Sequence, residues 1–130
     1  MSLLSFDRFV QQQISNVIEN AHANVYQLDD ILDMMNSEMI APGKKAEHQV
    51  LVPVGRWICY YLVDHPNKGR CHYFQIQPDA SGKLPDRSEM EHLIHAFEIE
   101  LPLKNEHILV DEENNEVKIS LPFESQADTI

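Results

Sequence analysis

The histidines of the segment EHLIHAFE are the first candidates for chemistry in this sequence. His92 and His95 are one helical turn apart, and Glu89 precedes His92 by three residues, the spacing found in carboxylate–histidine metal bundles. Such bundles need a second motif on a facing helix, which the sequence lacks. On a helix His92 also lies opposite the apolar residues. We therefore predict no metal site, and His92, His95 and Ile99 form a second candidate surface for a partner.

The two cysteines favour no nucleophilic chemistry. Cys71 and His72 are adjacent, so on a strand their side chains point to opposite faces. Cys59 could approach His72 across a hairpin, but a buried, unreactive thiol is the usual state of such a residue. A turn near residue 67 would set Cys71 opposite about residue 64, too far from Cys59 for a disulfide. We predict two free thiols and a reducing, cytoplasmic location.

Known catalytic and cofactor motifs are not found in the chain. The four glycines, at positions 43, 55, 69 and 82, are isolated, and no phosphate-binding loop or nucleophile elbow can be built around them. We therefore predict no catalytic residue, no cofactor and no enzymatic activity.

The net charge of −11 over 130 residues restricts the kind of partner. It opposes direct binding to nucleic acid and to anionic membranes, because both are negatively charged, and it permits a basic protein surface. No apolar run approaches the roughly 20 residues needed to span a bilayer, and the N-terminus has no basic leader typical of a signal peptide.

The N-terminal third predicts a long helix over residues 6–39. Its apolar residues recur alternately four and three positions apart: Ile14, Ile18, Ala21, Val25, Leu28, Leu32, Met35 and Met39. One helix of this length would be about 50 Å long, whereas a compact domain of this size is about 36 Å across. Either the helix breaks near residues 20–24, or a second copy covers the overhang. We expect a homodimer.

The rest of the chain predicts a meander of three strands, a helix and a hairpin. The segments are 48–54, 56–63 and 71–77 (the meander, 48–77), 88–100 (the helix), 107–111 and 116–123 (the hairpin, 107–123), and 124–130 (a disordered tail). Segment 56–63 is apolar on both faces, as in a central strand. Segment 71–77 alternates, with Tyr73, Gln75 and Gln77 expected on a wet face. Ser88 and Glu91 have the spacing of a capping box.

These elements predict an α+β fold in a single domain over residues 1–130. A long N-terminal helix, or a helix pair, packs on an antiparallel sheet of about five strands, with a second helix between strands 3 and 4. The order of elements and the acidity are similar to those of small acidic chaperones of bacterial secretion systems, and to immunity or anti-defence proteins that mask basic surfaces. The final helix typical of the secretion chaperones has no counterpart here.

The segment LDDILDMMNSEM is the main candidate for binding a partner. Apolar residues on one side of the predicted helix are edged by three aspartates, and such a helix can dock on a basic groove with an apolar floor. The candidate residues are Leu28, Asp29, Asp30, Leu32, Asp33 and Met35. The favoured function is a non-catalytic module that sequesters or inhibits a protein partner.

The alternative function is a small-molecule-binding or enzymatic domain. Its pocket would lie between the sheet and the helices and would use His72, Tyr73 or the pair His92 and His95. A concave pocket with convergent polar groups and shifted pKa values would favour this alternative.

Overall fold

Six strands and three α-helices make up the computed structural model, which describes residues 7–35 and 48–123. The side chains of residues 32–35 lie outside this description, as do residues 36–39 of the predicted long helix and the predicted tail at 124–130. The elements, in chain order, are helix α1 (Arg8–Ala23), strand β1 (Tyr26–Gln27), helix α2 (Leu28–Met35), strands β2 (Gln49–Val52), β3 (Arg56–His65) and β4 (Gly69–Ile76), helix α3 (Arg87–Ala96), a 3₁₀ turn (Asn105–His107), and strands β5 (Ile108–Asp111) and β6 (Glu116–Pro122).

The sheet is mostly antiparallel and is built around β3. Strands β2, β3 and β4 follow one another as a meander, β6 pairs with β4, and β5 pairs with the far side of β6. Strands β1 and β2 pair with the same edge of β3. Strand β2 is antiparallel to the first half of β3, and the two-residue β1 is parallel to its second half. The predicted α+β fold is confirmed: α1 packs on the sheet, and α3 is the helix predicted between the third and fourth of about five strands. It lies between β4 and β5, because the two-residue strand β1 was not predicted.

Helix α1 begins at an Asp7 cap and ends inside the segment where a break was one of two alternatives. The Asp7 carboxylate accepts a hydrogen bond from the backbone N–H of Val10 at 2.9 Å, which satisfies a free amide of the first turn. The helix ends at Ala23, and Asn24 forms its C-cap. With 16 residues it is about 24 Å long. Helix length therefore gives no argument for a second copy, and the homodimer stays a prediction.

Both faces of β3 are covered by other parts of the chain. Helices α1 and α3 pack on one face, where Ile58 and Tyr60 lie among the apolar residues of both helices. Ile31 of α2, with Tyr26 and Leu28, packs on the other face against Tyr61. The prediction of a central strand is confirmed.

The prediction that one face of β4 is exposed to solvent is wrong. Tyr73 and Gln75 are only 5% and 3% exposed, because the α2 side of the sheet is also covered. Gln75 is hydrogen-bonded there, since its amide donates to the buried Glu116 carboxylate at 2.7 Å.

Helix α3 differs from its prediction at both ends. Its capping box uses Asp86 and Glu89 rather than Ser88 and Glu91, because the helix starts at Arg87, within two residues of Pro85. It ends at Ala96, four residues before the predicted end.

No helix among the described residues is long and apolar enough to cross a bilayer.

The buried guanidinium of Arg56 ties the start of β3 to the segment between β4 and α3. Its Nη1 donates to the carbonyl oxygens of Gln77 at 2.9 Å and Lys83 at 3.0 Å. Its Nη2 lies 3.4 Å from a Glu89 carboxylate oxygen and 3.7 Å from one of Asp79. Because Arg56 is fully buried, these partners take the place of water.

Replacing Arg56 should therefore strongly destabilise the protein. Arg56→Met leaves two carbonyl oxygens and the partly buried carboxylates of Glu89 and Asp79 without this partner, and we expect the free energy of unfolding in urea to fall by about 3 kcal/mol. The matched control is Arg70→Met, since the Arg70–Asp64 ion pair is 46% and 40% exposed and is worth less than about 1 kcal/mol. Equal effects of the two substitutions would contradict the role given to Arg56.

Candidate ligand-binding cavity

A cavity of about 460 Å³ lies between α1, the sheet and the segment that follows α3. This volume falls within the range of about 300–1,000 Å³ that is usual for small-molecule sites. The lining residues come from five parts of the chain: Ile18 and His22 from α1, Tyr60 from β3, His72 from β4, residues 97–101 after α3, and Phe123 after β6.

Strand register places Tyr60 and His72 side by side in the wall of the cavity. Tyr60 pairs with Phe74, and His72 lies two positions before Phe74 on β4, so both side chains point to the same face of the sheet. Ile18 and His22 are four residues apart on α1, which puts them on one side of the helix. The two-residue repeat of a strand and the helical repeat of α1 thus place these side chains around the cavity.

The hydroxyl of Tyr60 and Nδ1 of His72 form a buried hydrogen bond of 2.6 Å. Burial lowers the pKa of His72 to about 4, helped by the charge of nearby His22. Burial also raises the pKa of Tyr60. Both groups are therefore neutral at pH 7. In one tautomer Tyr60 donates and His72 Nε2 carries a proton; in the other Nδ1 donates and Nε2 is an acceptor.

Five rings form a continuous row along the cavity. Ring centroids are 6.0 Å apart for His22 and Phe123, 5.0 Å for Phe123 and His72, 5.9 Å for His72 and Tyr60, and 5.2 Å for Tyr60 and Phe97. A backbone hydrogen bond just after β6 helps to hold Phe123 in this row: the N–H of Phe123 donates to the carbonyl oxygen of Arg70 at 2.8 Å.

The segment after α3 supplies both apolar and acidic groups to the cavity. Phe97 and Ile99 are buried, whereas Glu98 and Glu100 are exposed. Glu98 has φ of 67°, a left-handed conformation that costs a residue other than glycine about 1 kcal/mol. Its N–H donates to the carbonyl oxygen of His95 at 2.9 Å.

The predicted partner-binding residues of α2 lie on the other side of the sheet from the cavity. Asp29 and Asp30 are exposed, and Leu28 is half-buried against the core. The side chains of Leu32, Asp33 and Met35 are outside the description. Two of the three aspartates predicted to bind a partner therefore lie at the surface.

The second predicted surface is divided between solvent and core. His92 and His95 are exposed, and His92 Nδ1 donates to the carbonyl oxygen of Ser88 at 2.9 Å. Ile99 is only 6% exposed, and it lines the cavity instead. The end of α3 at Ala96 explains the difference, because residues beyond it no longer follow helical periodicity.

Cys59 and His72 lie on opposite faces of the sheet and cannot form a dyad. Cys59 packs with Ile31 and Tyr61 on the α2 side, whereas His72 lines the cavity on the α1 side. Burial raises the pKa of Cys59 to about 11, so the thiol stays protonated. Cys71 pairs with Val63, one position from the expected register, and both thiols are free.

Of the residues proposed for the alternative function, only His72 lines the cavity; Tyr73 is on the α2 side. Sequence reasoning missed Ile18, His22, Tyr60, Phe97, Glu98, Glu100, Leu101 and Phe123 as cavity residues. The alternation of apolar and acidic residues in FEIE (97–100) was a usable signal, since helical periodicity fails there. In the part of the chain that the structure describes, no group of three possible metal ligands occurs.

Comparisons with protein-family models, with curated proteins and with solved structures find no match to this chain.

The lowered pKa of His72 should make stability depend on pH. In the unfolded chain His72 has its ordinary pKa of 6.5, whereas in the folded protein its pKa is about 4. As the pH falls, the unfolded chain therefore takes up this proton first. Stability should therefore fall as the pH drops from 6.5, and this loss should saturate below 4. In urea unfolding series His72→Gln should reduce this slope, and the exposed His95→Gln should keep it. A His72→Gln variant with the parent's slope would refute the assignment.

Proposed function

We propose that the protein is a binding domain for a small ligand, which enters the cavity between α1, the sheet and residues 97–101. The observation that carries the proposal is the buried pair Tyr60–His72 in the wall of a cavity of about 460 Å³. Ligand sites typically combine apolar walls with a few placed polar groups. Here Ile18, Ile99 and Leu101 supply apolar surface, and the pair supplies a hydrogen-bonding group.

Binding is favoured over catalysis by the protonation of these two groups. A general acid or base works best when its pKa lies near the working pH. The pKa of His72 is lowered to about 4 and that of Tyr60 is raised. The pair therefore recognises a ligand in this proposal and transfers no proton.

Filling the cavity should abolish ligand binding. Ile18→Trp places a larger side chain in the cavity, while isoleucine and tryptophan have similar helix propensities. Fragments that bind the parent protein, found by ligand-observed NMR in a library of neutral and charged aromatic compounds, should bind this variant at least about tenfold more weakly, a difference of about 1.4 kcal/mol.

The control for this experiment is Ser15→Trp, on the exposed side of the same helix. It should bind the same fragments as the parent does, and both variants should keep a cooperative melting transition. Unchanged binding by folded Ile18→Trp, or a library without any hit, would contradict the proposal.

A second candidate is an acidic protein-binding module of the chaperone, immunity or anti-defence type. The observation that favours it is the exposure of Asp29 and Asp30 in the first turn of α2, on a chain with net charge −11. The partner in this proposal is a basic protein surface. Self-association as a homodimer belongs to the same candidate.

Neutralising these two aspartates should slow association with a basic partner. Asp29→Asn with Asp30→Asn keeps side-chain size, and exposed interface charges act mainly on the association rate. With a basic partner captured from host lysate, we expect the rate at low salt to fall severalfold, and the difference from the parent to shrink as salt rises. Glu112→Gln with Glu113→Gln, in the β5–β6 turn, is the matched control. Equal rates for both double variants would refute the docking role.

A further inference from the structure

Among the described residues that line the cavity, the two that carry a formal charge are both acidic. These two residues are Glu98 and Glu100; the described lining includes no lysine or arginine, and its histidines are His22 and His72. His72 adds no positive charge at neutral pH, because burial holds its pKa near 4. Apart from its histidines, the described lining offers an anionic ligand no cationic side chain.

The aromatic walls favour a particular kind of cation. The faces of tyrosine and phenylalanine rings carry negative electrostatic potential and attract ammonium groups. Tyr60 and Phe97 are tilted by 47°, as are His72 and Phe123, so the row of rings is not one flat stack. Alkylated ammonium groups suit such surroundings better than metal ions, which need several oxygen ligands.

We propose that the cavity binds an organic cation, an alkylated ammonium group on a small apolar body. The ammonium group contacts the half-buried ring of Phe123, beside His72 in the cavity wall, and is balanced by the exposed Glu98 and Glu100. The apolar body packs on Ile18, Ile99 and Leu101. This inference rests on the proposed function and names the ligand class of the same cavity.

The conformation of the chain after α3 supports the role of the two glutamates. Burial of Phe97 and Ile99, which are 2% and 6% exposed, fixes the turn between them and holds Glu98 in its left-handed conformation. The same turn brings Glu98 and Glu100 to the cavity. The acidic chain as a whole raises the local concentration of cations near its surface.

Three probes of similar size test the ligand class: benzyltrimethylammonium, benzyl alcohol and phenylacetate. In NMR titrations of the full chain, we expect the cation to bind at least about tenfold more tightly than the neutral alcohol, and phenylacetate to bind most weakly. Shift changes should centre on residues 97–101 and on His72.

Two pairs of variants separate the rings from the carboxylates. Phe123→Leu should weaken binding of the cation by about threefold, whereas Phe9→Leu, at an exposed position of α1, should not change it. Glu98→Gln with Glu100→Gln should weaken the cation and not the alcohol, and Glu112→Gln with Glu113→Gln should leave both unchanged.

Other outcomes of the titrations overturn the inference. If benzyl alcohol or phenylacetate binds as tightly as the cation, the ligand class is wrong, while binding in the cavity and the proposed function remain. If none of the three probes binds, the cation inference also fails, and the fragment library with Ile18→Trp then decides the proposed function separately. Tight cation binding that persists in the Glu98→Gln, Glu100→Gln variant would refute the claim that these carboxylates balance the charge of the ligand.

Discussion

Strand β3 is covered on both faces, and the polar groups on it and on its neighbours must therefore find partners inside the protein. Arg56, at its first position, is surrounded by two carbonyl oxygens and two carboxylates. Tyr60 pairs with His72 across the strands, and the buried thiol of Cys59 accepts a hydrogen bond from Gln49 at 3.4 Å. The Arg56 contacts hold the segment leading to α3, and the Tyr60–His72 contact gives the cavity its polar group.

The two candidate functional surfaces lie on opposite sides of this strand. The cavity belongs to the side covered by α1 and α3, and the aspartates of α2 belong to the other side. Variants of one surface therefore leave the contacts of the other intact. Small-ligand binding rests on a concave site with convergent groups, whereas protein binding rests on exposed charge, and the cavity is the more specific of the two arrangements.

Sequence patterns predicted the elements well where one periodicity persists over many residues. The apolar run of β3, the meander and the closing hairpin follow from such patterns, and α1 ends within the segment where the compactness argument allowed a break. Burial of Tyr73 and Gln75 was not predictable in this way, because it depends on α2 covering a face that their alternation suggests is wet. The cavity was missed for the same reason: Ile18, Tyr60, Phe97 and Phe123 are distant in sequence and meet only through strand register and helix packing.

The central claim is that a small ligand enters between α1, the sheet and residues 97–101. Crystals soaked separately with aromatic fragments that are cationic, neutral or anionic test it most directly, because electron density locates a bound fragment whatever its charge. We expect ligand density in contact with the rings of His72 and Phe123. Ligand density confined to other surfaces, with the cavity empty of ligand in saturating soaks, would contradict it.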